Sequence, residues 1–169
     1  MDLLQLLDQS SNISSQVLEQ LDLNERQDDF GQFYSQSVAD YQYDTVRLEN
    51  GAEGLFVRRD DLDPTKKHPM ITMIHGGPFS ASPYQMFLIT RNLYLLQGYC
   101  ILIVNYRGSI GFGEDLLNSL LGNIGVNDVH DVGQLTQLVV KEYEDIVDKD
   151  RLGVEGGSHG GFLTGHLIG

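Results

Sequence analysis

Residues 156–161 read Gly156-Gly157-Ser158-His159-Gly160-Gly161, a serine with glycine two residues to either side. That spacing suits a hydroxyl carried clear of a sheet on a sharp strand-to-helix turn whose backbone is strained. The flanking glycines let such a turn close, because no Cβ strikes the neighbouring strand or helix. A helix opening at the serine also aims its free N–H groups at developing negative charge. The chemistry indicated is nucleophilic attack by Ser158 on an acyl group. Alone the pattern is common, arising by chance in roughly one such chain in ten. Context decides in its favour, since Leu152-Gly153-Val154-Glu155 before it reads as a strand and the residues after it as a helix.

Acyl transfer also needs backbone N–H donors aimed at the oxyanion. One is normally supplied by the residue after the nucleophile, here His159, and the other by a glycine-rich loop after an earlier strand. His75-Gly76-Gly77-Pro78 stands where that loop is required, directly after the apolar run Met70-Ile71-Thr72-Met73-Ile74. Two separate motifs thus fall in the right order on matching strand ends.

The elements that must hold these motifs are visible from Tyr41 onward. Residues 41–48 alternate with period two, Glu49-Asn50-Gly51 makes a turn, and Gly54-Leu55-Phe56-Val57-Arg58 returns, which predicts a hairpin. After the strand at 70–74, residues 85–97 predict a helix with Met86, Leu88, Ile89, Leu93 and Leu96 as its apolar set and Gly98 as its stop. Ile101 to Val104 is a continuous apolar run, the mark of a strand covered on both faces. A glycine-rich loop follows from Arg107 to Gly113. A helix then begins near Asn127-Asp128, with carboxylates in its first turn and Val129, Val132, Thr136 and Val139 as its buried stripe. A hairpin followed by alternating strands and helices predicts an α/β fold, a mostly parallel sheet covered by helices on both faces. Residues 1–40, rich in Gln, Ser, Asp and Asn, form an N-terminal extension or linker ahead of a partial catalytic domain at 41–169; after Ser14, Val17, Leu18 and Leu21 fall on one helical face.

Composition narrows the function further. A formal net charge of −13 over 169 residues repels phosphate backbones and anionic bilayers, so neither nucleic acid nor membrane is an expected partner. The single cysteine, Cys100, lies in an apolar run and is expected to pack as a small hydrophobe. There is no signal-peptide pattern and no apolar run of membrane-spanning length, which makes a cytoplasmic setting the expectation. Histidines and acidic residues lack metal-ligand spacing, and the glycine-rich segments lack the lysine of a phosphate loop, so neither metal nor cofactor is expected.

Three segments carry a family resemblance: His75-Gly76-Gly77-Pro78-Phe79-Ser80, Asn105 to Gly113, and Gly156-Gly157-Ser158-His159-Gly160-Gly161-Phe162. They resemble the α/β-hydrolase catalytic domain of the prolyl oligopeptidase family, and within it the acylaminoacyl-peptidase subgroup, which His166-Leu167-Ile168-Gly169 also resembles. The resemblance implies that Ser158 is the nucleophile and that the backbone N–H groups of Gly77 and His159 form the oxyanion hole. It implies a serine peptidase acting on peptides with blocked N-termini and releasing an N-acyl amino acid through an acyl-enzyme; an oligomer is compatible with it. Arg107 matches a family loop residue and is expected to pair with a carboxylate. Another α/β-hydrolase, a dipeptidyl peptidase or carboxylesterase, is the alternative within the fold. A non-catalytic remnant that binds a hydrolase partner is the alternative outside it.

One part of the chemistry is missing from the sequence. In this fold the triad runs Ser, then Asp or Glu, then His. Eleven residues follow Ser158, none acidic, and His159 and His166 are the only histidines among them. His166 lies roughly 12 Å along the predicted helix, and adjacency does not turn the His159 ring toward the hydroxyl. The expectation is a fold cut short after the elbow, inactive and marginally folded by itself.

Overall fold

A computed structural model describes residues 41–82 and 89–169. The helical face anticipated within residues 1–40, and the start of the helix anticipated from Gln85, lie outside those residues. The order of elements is β1 (Tyr41–Arg47), β2 (Glu53–Arg59), β3 (His68–Ile74), α1 (Ile89–Leu96), β4 (Cys100–Asn105), α2 (Glu114–Asn118), α3 (Asn127–Glu142), β5 (Val147–Gly156) and α4 (His159–Ile168).

The anticipated hairpin forms, with Tyr41 opposite Arg59 and Arg47 opposite Glu53. Its turn closes through a 2.9 Å bond from Leu48 N–H to the Ala52 carbonyl, with Gly51 at a φ of 91° that favours glycine. All five strands join one sheet in the order β1-β2-β4-β3-β5. β2 pairs antiparallel with β4, while β3 runs parallel to both β4 and β5. Parallel neighbours need a crossover that returns the chain to the same sheet end, and helices supply it. The fold is of the α/β-hydrolase class, with the parallel ladder on the side that carries the two motifs.

Each face of the sheet has its own apolar layer. Phe56, Met70, Leu102 and Val104 meet Val132, Leu135 and Val139 of α3 and Leu163 of α4 on one side. Leu55, Val57, Ile71, Met73, Ile101 and Ile103 meet Leu95 of α1 on the other. Every residue of β4 is buried, as its unbroken apolar run predicts. Cys100 is fully buried within it, and burial pushes its thiol up to about 11, so it packs and does not react.

Several elements depart from the anticipated pattern: β5 begins at Val147, ahead of the anticipated Leu152, and on α3 Leu135 is buried whereas Val129 and Thr136 of the anticipated stripe are only half-buried. α2 was not anticipated; it is a five-residue helix that buries Leu116 beneath the hairpin turn. The face of α1 is also different. Leu93 and Leu96 are exposed, at 50% and 36%, whereas Arg91, Asn92 and Leu95 are buried. On β5, Glu155 attracts the Arg91 guanidinium and shares a hydrogen bond with the Tyr94 hydroxyl.

Candidate active site

The register of the sheet brings the two motifs together. Ile74 at the end of β3 pairs with Gly156 at the end of β5, so the His75–Pro78 loop and the Gly156–Gly161 turn leave the same edge side by side. Their approach is close: a Cβ built on Gly76 would stand 3.2 Å from the Ser158 Cβ and 3.7 Å from its Oγ.

Ser158 occupies φ 56°, ψ −122°, and among the described residues no other non-glycine has positive φ. That combination belongs to the turn position that glycine normally fills. The surroundings over-determine it. A Cβ on Gly156 would lie 2.5 Å from the Gly160 carbonyl carbon and oxygen, and one on Gly160 would lie 2.3 Å from the Ile74 carbonyl oxygen. Both glycines are therefore steric requirements of a turn packed against β3, as the spacing predicts. Such a backbone stores about 1–3 kcal/mol at one residue. Ser158→Gly should accordingly raise stability by about 1 kcal/mol, the relief of strain being partly offset by glycine's greater chain entropy. Urea denaturation of the two chains measures this, and an unchanged or lower midpoint would show the elbow to be unstrained.

The hydroxyl of Ser158 is exposed and has no hydrogen-bond partner among the described residues. α4 begins immediately after it at His159. The N–H groups of Gly77 and His159 likewise donate no hydrogen bond among the described residues. Gly77, at φ 134°, holds a conformation that a side chain would strain, with Phe79 N only 2.8 Å from an added Cβ. Among the described residues, the Ser158 hydroxyl and the Gly77 and His159 N–H groups are thus left without partners at the adjoining ends of β3 and β5.

The histidine rings point elsewhere. His159 Nε2 is 2.8 Å from Asp128 Oδ2. His75 places Nε2 at 2.8 Å from the Ser109 hydroxyl and Nδ1 at 2.7 Å from the Gly76 carbonyl. Burial holds the His75 pKa below the ordinary histidine value, which keeps the ring neutral. The ring stacks on Tyr106 at 4.3 Å between centroids. Tyr106 is fully buried, its phenol is pushed up by burial, and its hydroxyl donates to the His75 carbonyl at 2.9 Å. His166 packs edge-on against Phe162 further along α4. Arg107 pairs with a carboxylate as expected, and the partner is Asp131 at 2.8 Å.

The roles of Asp128, Asp131, Tyr106 and Ser109 were not visible in the sequence. The nearest signal was a pair of aspartates three apart at the start of α3, which reads first as an accommodation to the helix dipole.

Known proteins resemble this chain in sequence and in fold. Residues 87–169 match the prolyl oligopeptidase family. Acylamino-acid-releasing enzyme 1 of Oryza sativa is 46% identical over 127 residues, covering 73% of this chain and 16% of the relative. The human acylamino-acid-releasing enzyme is 45% identical over 101 residues, covering 60% of this chain and 13% of the relative. The chain spans about a sixth of the length of the curated relatives it matches. Among solved structures, the Pyrococcus horikoshii acylaminoacyl peptidase superposes with a TM-score of 0.67 at 26% identity, over 74% of this chain and 20% of that one. A puromycin hydrolase superposes with a TM-score of 0.64 at 27% identity, over 76% and 20%. Sequence, fold and elbow geometry converge: the chain belongs to the prolyl oligopeptidase family and resembles its acylaminoacyl-peptidase members.

Proposed function

We propose that this chain carries the nucleophile and oxyanion hole of a serine peptidase that hydrolyses N-acylated peptides. Ser158 Oγ attacks the carbonyl carbon of the blocked first residue, the peptide bond to the second residue breaks, and the shortened peptide leaves as a free amine. The N–H groups of Gly77 and His159 receive the oxyanion, and the N-acyl amino acid leaves after hydrolysis of the acyl-enzyme. The observation that carries this reading is the strained Ser158 backbone set directly against Gly76. A buried lone cysteine fits the cytoplasmic setting expected of it, and among the described residues no helix is long and apolar enough to cross a membrane.

The 169 residues alone are proposed to be inert. Within them no carboxylate follows Ser158, and the rings of His75 and His159 are already bonded elsewhere. A serine hydroxyl without a base is a poor nucleophile. A fluorophosphonate probe should therefore leave the folded 169-residue chain unlabelled, and labelling that Ser158→Ala abolishes would overturn this. The peptidase reading has a separate test, in which residues 41–169 replace the matching segment of the rice enzyme. Cleavage of an N-acetylated peptide, lost with Ser158→Ala, is the expected result. Retained cleavage in the Ser158→Ala chimera would sink it.

A further inference from the structure

We infer that Asp128 is a positioning residue for the elbow: through the His159 ring it fixes the first turn of α4, and with it the N–H proposed to bind the oxyanion. The inference rests on the donor role proposed for His159.

Asp128 is fully buried at the start of α3. Its Oδ1 accepts the N–H of Gly125 at 2.7 Å and of Val129 at 3.0 Å. Those two bonds fix the carboxylate plane and leave Oδ2 to receive His159 Nε2 at 2.8 Å. An ionised carboxylate only accepts, so Nε2 carries the proton of this bond. The His159 side chain is 10% exposed. Its ring lies between Tyr106 and Phe162, with centroids 6.0 Å and 5.5 Å away.

The consequence lies in where His159 sits. It directly follows the strained serine, and among the described residues its N–H has no acceptor to hold it. The first turn of α4 is closed by only two backbone bonds outside the regular helix, Gly160 N–H to the Gly157 carbonyl at 2.9 Å and Phe162 N–H to the Ser158 carbonyl at 3.1 Å. A side chain anchored at its far end to a carboxylate on another helix sets the rotation of that turn. The anchor also keeps the imidazole off the Ser158 hydroxyl, which makes it a clamp and not a base.

Amide hydrogen exchange of the 169-residue chain tests this, reading Gly160 and Phe162 against the buried amides of β4 as internal control. His159→Phe keeps a ring and removes the donor; it should speed exchange at Gly160 and Phe162 about tenfold relative to β4, the scale of one lost charge-assisted bond. His159→Gln places an amide nitrogen at the same reach and should return both amides to within about twofold of the parent. In Asp128→Asn the carboxamide can donate to the ring, so the His159 ring nitrogen shifts should report the proton moved from Nε2 to Nδ1. Equal exchange in His159→Phe and His159→Gln would overturn the inference, as would an Nε2 proton unmoved in Asp128→Asn. None of these readings requires Ser158 to react, so they stand or fall separately from the probe and chimera experiments.

Discussion

Gly160→Ala should leave the chain unable to fold around the elbow, whereas Gly165→Ala, five residues along the same helix, should stabilise it. The new methyl at 160 would sit 2.3 Å from the Ile74 carbonyl oxygen and 3.0 Å from that of His75. Both are backbone atoms at the end of β3, with no rotamer through which to escape. Relief requires α4 to lift from the sheet, which also draws Leu163 out of the core and Ser158 away from Gly76. Overpacking against backbone of this kind costs about 3 kcal/mol or more, a large share of a small domain's stability. At Gly165 nothing lies within 4 Å of an added Cβ. There the helix interior gains about 0.5–1 kcal/mol from alanine. Gly161→Ala should fall between them, since its Cβ would meet only the Gly156 carbonyl oxygen, at 3.1 Å. Urea midpoints followed by circular dichroism, compared at equal m-value, measure the order. Equal midpoints for the 160 and 165 variants would mean that the elbow does not pack against β3 as closely as described.

That contrast shows why so much of the site was legible in the sequence. Gly156 and Gly160 are forced by hard-sphere contacts across a turn of fixed length, and such requirements appear as residue type at set spacing. β4 was legible for a similar reason: a strand buried on both faces must be apolar throughout. The exposed and buried sides of α1 were not. There Arg91 is buried and attracted by Glu155, more than sixty positions away in sequence, and hydrophobic periodicity does not register a distant charge. The same limit hid Asp128 and Asp131. An aspartate in the first turn of a helix is explained locally by the dipole, and only the tertiary structure shows that one takes His159 and the other Arg107.

Asp131→Ala should be among the most damaging single changes away from the elbow, and a compensating double variant should recover much of the loss. The Asp131 carboxylate is fully buried and gathers donors from two other segments. Arg107 gives it Nε at 2.8 Å, Nη2 at 2.8 Å and its own backbone N–H at 2.9 Å, and Asn50 gives Nδ2 at 2.8 Å. Removing the carboxylate strands a guanidinium that is only 18% exposed, together with a backbone N–H and an amide. Breaking a buried pair in this way costs about 3–5 kcal/mol, most of it the desolvation of what remains. Arg107→Met alone should cost a similar amount, because it leaves the carboxylate buried. Asp131→Leu with Arg107→Met removes both charges, and a buried pair is often no more stable than the apolar residues that replace it. Measured against the Asp131→Leu and Arg107→Met single variants, the double variant should therefore be destabilised by less than the sum of the two single losses, with a coupling energy of at least about 1 kcal/mol. Strict additivity would show that the two residues do not act as a pair. Because Asp131 lies one turn beyond Asp128 on α3, the start of that helix ties the loop after β4 and the turn after β5 to one rigid element. Loosening the Arg107 side should then also speed amide exchange at Gly160 and Phe162, linking a clamp with no contact to Ser158 to the geometry of its elbow.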